Sequence, residues 1–147
     1  MKKSRILFFL ALFFGTFFAS CTKDISGPVD LNYLEGKWNF NKSTASAGGF
    51  SIPYTTKYLK NQDGCNKDYI EIISGGSMKS GHYTPSCVFE EKVGTWSQNG
   101  TNVIFSISGS SLNDTFKVAS LSATELILTI DGNYNGTSGS FNLYFAK

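Results

Sequence analysis

Apolar and polar residues alternate along most of the chain from residue 31 onward. A period of two is typical of strands that bury one face and leave the other in solvent. Clusters of glycine, asparagine and serine divide the alternating runs, and no run carries apolar residues at helical spacing. The pattern predicts nine strands, over residues 37–42, 52–60, 69–74, 78–84, 88–97, 101–108, 115–120, 125–130 and 140–146.

One hairpin has enough sequence signal to predict its register. Asn99 and Gly100 separate two strand-like runs, and Asn-Gly is the preferred pair for a two-residue type I′ turn. That turn would place Trp96 directly opposite Val103. We expect the inward face of this hairpin to carry Trp96, Val103, Phe105 and Ile107.

Consecutive strands with short connections predict an antiparallel up-and-down meander. A meander of eight or nine strands removes its exposed edges by closing into a barrel. We therefore predict an all-β barrel over residues 31–147, with a two-sheet β-sandwich as the alternative. A domain of this length is of ordinary size for one hydrophobic core.

A different pattern precedes the alternating region. Residues 6–18 form an apolar run with six phenylalanines, and the run follows the cations Lys2, Lys3 and Arg5. As a helix it would be about 20 Å long, which is too short for the roughly 30 Å hydrocarbon core of a membrane. The run is typical of the apolar part of an export signal.

The end of this segment is more specific than an ordinary export signal. Phe18, Ala19, Ser20 and Cys21 place a bulky apolar residue and two small residues before a cysteine, which resembles the lipobox of bacterial lipoproteins. The resemblance implies cleavage between Ser20 and Cys21 and a lipid on the Cys21 thiol, whose long chains would hold the protein on a membrane. We predict a signal peptide at residues 1–20 and a polar tether at residues 21–30. A secreted protein with an incidental cysteine is the alternative.

Removal of the signal changes the charge balance. The whole chain has 13 basic and 11 acidic residues, and the first 20 residues hold three of the basic and none of the acidic ones. The remainder has 10 lysines and 11 acids, a net charge of −1, which gives no support for nucleic-acid binding. No arginine follows Arg5, so the planar fork that binds phosphate or carboxylate in a bidentate manner is absent.

With Cys21 lipidated, Cys65 and Cys87 are the remaining cysteines. In an oxidising compartment such a pair favours a disulfide, and we predict a bond that contributes roughly 3 kcal/mol in the chain-entropy model. Two buried free thiols and half of a metal site are the alternatives. The metal alternative lacks ligands, because His82 is the only histidine and no CxxC pair is present.

No group of residues indicates catalysis, and we expect neither an enzyme nor a cofactor or metal. The sequence pairs no nucleophile with His82. Glu90 and Glu91 are neighbours, so on a strand they face opposite sides and cannot act as an acid–base pair. Residues 131–133 and 135–136 are typical of turns, with too few carboxylates for a calcium loop. The glycine pairs at 48–49 and 75–76 indicate hairpins or bulges rather than phosphate cradles, since no helix follows them.

An ordered set of short motifs resembles a known family. Leu34, Gly36 and Trp38 form Leu-x-Gly-x-Trp at the first strand. The other motifs are Cys65 with Asp68, Tyr69 and Ile70 behind it, Cys87, Gly94-Thr95-Trp96, Leu121-Ser122 with Glu125, Leu126 and Leu128, and a final aromatic strand. In this order, over residues 31–147, the chain is similar to the lipocalin-like domain of small lipoproteins from Bacteroidetes bacteria.

The resemblance implies an up-and-down barrel that can hold a small apolar molecule, and a disulfide between Cys65 and Cys87. The Gly36-x-Trp38 motif is similar to the hallmark of lipocalins proper, in which an arginine from near the last strand packs over the tryptophan. Because this chain has no such arginine, Lys117 or Lys147 would have to supply the cation over the ring.

We therefore predict a membrane-anchored lipoprotein whose barrel binds a small hydrophobic ligand. The alternative is a structural or protein-interaction lipoprotein of the cell envelope, with a filled barrel and no ligand. Tyrosines could line a pocket mouth or simply face solvent, at positions 54, 58, 69, 83, 134 and 144. Thr22 follows Cys21 in place of the aspartate that retains some lipoproteins in the inner membrane, so we expect a lipid-anchored monomer on the outer membrane, facing the periplasm or the cell surface.

Overall fold

The computed structural model describes residues 31–134 and 137–147. The predicted signal peptide, the tether, Ser20 and Cys21 lie outside the described residues. A 3₁₀ turn, Leu31–Tyr33, precedes the strands, and no helix in the described ranges is long and apolar enough to cross a membrane. The strands are β1 (Gly36–Ala47), β2 (Phe50–Pro53), β3 (Tyr69–Ile73), β4 (Ser77–Tyr83), β5 (Phe89–Asn99), β6 (Asn102–Ser106), β7 (Thr115–Leu121), β8 (Glu125–Tyr134) and β9 (Thr137–Ala146).

The strands form one antiparallel sheet that closes on itself. Their order is β2-β1-β3-β4-β5-β6-β7-β8-β9, and β1 pairs in addition with β9. Strands β1 and β3 to β9 thus make an eight-stranded barrel, and β2 extends β1 beyond it at one end. The closure confirms the predicted up-and-down barrel and excludes the sandwich, since a single sheet returns to its own first strand.

A β-bulge in β1 decides which residues face inward at each end of the barrel. The register against β9 shifts between Phe40 and Lys42, so the inward positions change from even to odd numbers. Before the bulge, Trp38 and Phe40 enter the core. After it, the inward positions carry small residues, which are Ser43, Ala45 and Ala47. One end of the barrel is therefore filled by large rings from β1, whereas toward the other end β1 contributes only small side chains.

The predicted strand over residues 52–60 is wrong beyond its first two residues. β2 ends at Pro53, which has no N–H with which to continue the ladder. Tyr54 makes the last backbone bond of this pair, to the Ser43 carbonyl at 3.1 Å. The chain then leaves the sheet, and Tyr58 and Leu59 pack against the core. The polar–apolar alternation here reflects tertiary contacts and not a strand.

The turn predictions are confirmed at two glycine pairs and wrong at a third site. Residues 48–49 and 75–76 connect strands, with φ between +58° and +88°, where glycine carries no Cβ penalty. The turn predicted at residues 131–133 is wrong, because β8 continues to Tyr134 and Gly132 pairs with Gly139. Residues 135 and 136 lie outside the described residues.

The β5–β6 hairpin keeps its predicted inward face but has a different register. Its turn is formed by Gly100 and Thr101 instead of Asn99 and Gly100, and Trp96 lies opposite Phe105. Gly100 has a φ of +61°, as in a type II′ turn, which needs glycine only at the first central position. Because the register moves by two residues, the same side chains still point inward.

The barrel interior is filled by its own side chains. Trp38, Phe105, Phe116 and Phe145 are each at most 1% exposed, and the rings of Phe105 and Phe116 are in contact, with centroids 5.2 Å apart. The remaining buried apolar residues of this core are Leu34, Phe40, Leu59, Ile70, Ile72, Met78, Val103, Ile107, Leu112, Val118, Leu126, Leu128 and Leu143. An eight-stranded barrel is small enough to be packed in this way.

Candidate functional site

The Gly-x-Trp motif lies at the closed end of the barrel. Trp38 is fully buried, and its indole N–H donates to the Leu34 carbonyl at 2.7 Å. The Lys147 ammonium lies 4.4 Å from the centroid of the Trp38 ring. Gly36 has a φ of +120°, and Lys147 fills the space beside its Cα.

Lys147 therefore supplies the cation that the resemblance required, whereas Lys117 is exposed on β7. The Lys147 ammonium also donates to the carbonyls of Tyr33 at 3.3 Å and Glu35 at 3.2 Å. These contacts tie the segment before β1 to the end of β9. Gly36, Trp38 and Lys147 thus have a structural role, because they close this end of the barrel.

Two loops seal the opposite end, which we call the mouth. The segment 54–68 inserts Leu59, and the loop between β6 and β7 inserts Leu112. The ring of Tyr58 packs edge-on against Phe116, with centroids 5.4 Å apart, and its hydroxyl donates to Asp114 at 2.9 Å. Burial, helped by this hydrogen bond, raises the pKa of Tyr58 to about 12. Side chains occupy the mouth, so any free space for a ligand has to lie outside the core.

The disulfide predicted from the sequence joins Cys65 to Cys87, with Cα atoms 5.3 Å apart. It links the segment 54–68 to the loop between β4 and β5. Asp68 secures the same segment, because its buried carboxylate accepts the N–H groups of Lys60 at 3.0 Å and Tyr83 at 2.9 Å. The alternatives of free thiols and a metal half-site are thereby excluded.

Just beyond the mouth, β2, β1, β9 and β8 lie side by side and share one apolar face. Their register places Ile52, Ala45, Phe141 and Ile130 in one row, and Phe50, Ala47, Gly139 and Gly132 in the next. This face lines a cleft of about 620 Å³, which we call the mouth cleft. Its volume falls within the range of about 300–1,000 Å³ that is usual for small-molecule sites.

Small residues form the floor of the mouth cleft. A Cβ at Gly139 would come within 2.7 Å of the Ser46 carbonyl oxygen, and one at Gly132 within 3.2 Å of the Phe141 ring. Position 139 therefore requires glycine, whereas a side chain at position 132 would displace the Phe141 ring, and the floor carries no side chain at either position. The Phe141 ring closes one side, where it contacts the Tyr54 ring with centroids 5.0 Å apart.

The walls of the mouth cleft expose apolar side chains to solvent. Phe50 is 81% exposed, Ile52 61% and Tyr54 46%. Within the described part of the chain, no charged side chain lines this space. Contiguous exposed apolar surface is unfavourable in water and typically marks a binding site.

Only part of this site could be predicted from the sequence. Tyr54, one of the tyrosines considered for a pocket mouth, lies in the cleft wall. Of the others, Tyr58 packs at the sealed mouth, Tyr69 and Tyr83 lie on the outer wall, and Tyr144 lies beside the Lys42 ammonium. The side chain of Tyr134 lies outside the described residues.

Phe50 and Gly139 were not predicted as part of the site, because the sequence of one strand does not show which residues of neighbouring strands lie beside it. A signal was present in the glycine pair at 48–49, since a two-residue hairpin there pairs Phe50 with Ala47. The partner of Ala47 on its other side, Gly139, depends on barrel closure.

The titratable groups considered for chemistry lie outside the mouth cleft. The His82 Nε2 atom lies 3.2 Å from a carboxylate oxygen of Glu90. Glu91 faces the other way, as predicted, where it accepts from the Tyr69 hydroxyl at 2.5 Å and lies 3.3 Å from Lys79. The hydrogen bond from Tyr69 lowers the pKa of Glu91. In residues 31–134 and 137–147 no three histidine, cysteine or acidic side chains converge as metal ligands.

An eight-stranded up-and-down barrel, closed at one end by a Gly-x-Trp strand beneath a cation, defines a lipocalin-type fold. Comparison with known proteins agrees. The chain resembles the crystal structure of a lipocalin-like protein from Bacteroides uniformis, with a TM-score of 0.52, 21% identity, and coverage of 78% of this chain and 98% of that one. It also resembles lobster apocrustacyanin A1, with a TM-score of 0.51, 15% identity and coverage of 80% of this chain.

The chain spans 62% of the length of the lobster protein, and at these identities both likenesses concern the fold alone. A comparison with curated proteins found no match. Residues 34–128 match the family described as "Lipocalin-like domain". The chain therefore belongs to the lipocalin-like domain family, whose members are generally non-enzymatic binding proteins.

Proposed function

We propose that this protein is a membrane-anchored lipoprotein that binds a small hydrophobic ligand in the mouth cleft and has no enzymatic activity. The observation that carries the proposal is the exposed apolar face shared by β1, β2, β8 and β9, beside a barrel whose interior is filled. A ligand of the proposed kind would lie on the glycine and alanine floor, between Phe141 on one side and Phe50 and Ile52 on the other.

The energetics of the mouth cleft fit an apolar ligand. Full burial of a phenylalanine or isoleucine side chain contributes about 1.5–3 kcal/mol, and Phe50 and Ile52 are both mostly exposed. The lining residues offer two serines and one tyrosine hydroxyl but no charge, so a charged ligand would lose hydration without gaining a partner. The ligand is accordingly expected to be neutral, or to keep a polar end in solvent.

The anchoring part of the proposal rests on the lipobox. Cleavage between Ser20 and Cys21 would leave a lipidated Cys21 and a tether of residues 21–30, whose reach is at most about 35 Å. The tether would enter the barrel at its closed end, because β1 starts there at Gly36 and runs toward the mouth cleft. A monomer anchored to the outer membrane would thus hold its closed end toward the lipid and its mouth cleft away from it.

Titration of the purified protein with N-phenylnaphthylamine, whose fluorescence rises in apolar sites, tests the ligand proposal. Phe50→Asp should weaken binding at least tenfold, because it places a charge in the cleft wall. Val93→Asp is a matched control, since Val93 is 65% exposed on another wall, and it should bind as the unchanged protein does. Equal affinity in both variants would mean that the mouth cleft is not the site.

Native mass spectrometry of protein purified from its own membrane tests whether a natural ligand exists. Recovery of one stoichiometric lipophile after organic extraction would support the proposal. The second candidate function, a structural or protein-interaction role, is favoured by the filled barrel interior. An empty protein that also takes up no probe would leave that second function standing.

Anchoring is tested separately at Cys21. Intact-mass measurement of the membrane fraction should show a diacylglyceryl addition on a chain that begins at this residue, and Cys21→Ala should abolish the addition. Protease shaving of intact cells distinguishes the two orientations, because a surface protein is degraded and a periplasmic one is protected. A mature chain that starts elsewhere and carries no lipid would refute the anchor and leave the ligand proposal intact.

A further inference from the structure

A second cluster of aromatic residues lies on the outer wall, and none of its residues lines the mouth cleft. We call it the wall patch, made of Tyr69, Tyr83 and Phe89. The Phe89 ring is stacked on Tyr69, with centroids 6.1 Å apart and planes at 18°, and contacts Tyr83 at 5.2 Å. Gly81 permits this arrangement, because a Cβ there would overlap the Tyr69 and Phe89 rings.

Amide and ammonium groups surround the wall patch. Together they line an open depression of about 570 Å³, in which Asn39 and Asn66 supply carboxamides and Lys37 and Lys67 supply cations. The Lys37 ammonium lies 3.8 Å from the centroid of the Tyr69 ring. No carboxylate belongs to the lining among the described residues, so the charged groups that line the depression are the ammoniums of Lys37 and Lys67.

The polar groups of the depression have spare bonding capacity. The Asn66 amide makes one long bond, 3.4 Å, to the Tyr83 hydroxyl. Within the described ranges the Asn39 side chain makes no hydrogen bond and Lys67 forms no ion pair. A carboxamide can both donate and accept, so Asn39 and Asn66 can together serve several hydroxyl groups of a ligand.

Two carboxylates, Glu91 and Glu71, lie near the wall patch on the same outer face. Glu91 accepts from the Tyr69 hydroxyl at 2.5 Å and pairs with Lys79 at 3.3 Å. Glu71 lies on the same outer face, in register between Lys37 and Lys79. Lys67 has no such neighbour among the ion pairs of the described chain, which leaves a cation available to a ligand at the edge of the depression.

We propose that the wall patch binds an acidic saccharide, with sugar rings against Phe89 and Tyr83 and a carboxylate at Lys67. An aromatic ring offers a flat apolar face, which suits the C–H face of a pyranose. The carboxamides of Asn39 and Asn66 match its hydroxyls, and an ammonium forms a charge-assisted hydrogen bond with a carboxylate. Phosphate ligands fit less well, because no arginine follows Arg5 and no α-helix lies among the described residues.

Amide NMR titration with a galacturonic acid trisaccharide tests this proposal, with its methyl ester as the uncharged comparison. Shifts should concentrate at the Asn39, Asn66 and Phe89 amides. Lys67→Gln should weaken binding of the acid about tenfold while leaving the ester unchanged. Phe89→Leu should weaken both ligands, because it removes the ring and keeps the site apolar.

Lys117→Gln, on the exposed face of β7, is the control and should bind both sugars like the unchanged protein. The proposal is overturned if no amide of the depression shifts, or if Lys67→Gln and Lys117→Gln weaken binding equally, since the effect would then be nonspecific charge attraction. A ligand that shifts only mouth-cleft amides would overturn it as well. Phe50→Asp should not affect sugar binding, so the two proposed sites fail or succeed independently.

Discussion

Loss of the Cys65–Cys87 disulfide should destabilise the domain by about 3 kcal/mol. The bond spans a sequence separation of 22, for which the chain-entropy model gives roughly 11 cal/mol/K, or about 3.4 kcal/mol at 25 °C. With an unfolding entropy of about 2.1 cal/mol/K per residue, summed over the domain of residues 31–147, a loss of this size should lower the melting temperature by roughly 14 °C. This magnitude is large compared with the total stability of about 5–15 kcal/mol that is usual for a domain.

The double variant Cys65→Ser/Cys87→Ser removes the bond without leaving a free thiol. Urea unfolding would give the free energy of unfolding, and calorimetry the melting temperature. Hydrogen exchange should accelerate most in the segment 54–68, because that segment has lost its covalent link to the β4–β5 loop. Amides of β8 and β9 should change only as far as the global stability does.

Cys87 also offers a matched control. It has a φ of 57°, which costs a residue with a Cβ about 1–2 kcal/mol. Cys65→Ser/Cys87→Gly should therefore be about 1 kcal/mol more stable than the double-serine variant. A loss below about 1 kcal/mol in the double-serine variant, with unchanged exchange in 54–68, would show that Asp68 and the buried side chains hold the segment unaided, and the reasoning would be refuted.

Three further predictions concern the barrel itself. Lys147→Met should lower the free energy of unfolding in urea by about 1–2 kcal/mol, because it removes the cation over Trp38 and two hydrogen bonds. An equal decrease in Lys147→Arg would argue against the cationic contact. Gly94→Ala should cost about 1–3 kcal/mol, since its Cβ would overlap the Ser106 backbone, and an unchanged urea midpoint would mean that β5 and β6 can separate there. Stability should fall between pH 10 and 12, because the folded chain keeps the Tyr58 proton up to a pKa of about 12 while the unfolded chain releases it near 10. Tyrosinate absorbance during unfolding measures this titration. If stability declines as steeply with pH in Tyr58→Phe, another group causes the effect.

The barrel was predictable because the features that specify it lie within single strands and short connections. Period-two alternation can be recognised in the sequence without knowledge of tertiary contacts, and β7 at Thr115–Leu121 starts where the sequence predicted. The β5–β6 register was not predictable on the same grounds. Asn-Gly favours a type I′ turn locally, but the choice between neighbouring turns also depends on how Trp96 packs against Phe105 across the strands.

The closed end was predictable through family resemblance, which required a cation over Trp38 and left two candidate lysines. The mouth cleft was not predictable, because it depends on residues far apart in the chain. Ala47 meets Phe50 through a local turn but meets Gly139 only through barrel closure. The β1 bulge adds a further obstacle, since it reverses which residues face inward, and alternation alone does not mark its position.

The triple pairing of β1 has a consequence for how the protein reaches its native state. This strand pairs with β2, β3 and β9, and its pairing with β9 places Asn39 opposite Ala146, 107 positions further along the chain. Such distant contacts are slow to form, typically in milliseconds to seconds. Until β9 arrives, one edge of β1 is an open template for pairing with another chain. Refolding yield should therefore fall as protein concentration rises, because a chain that has not yet paired β1 with β9 can pair that edge with another chain.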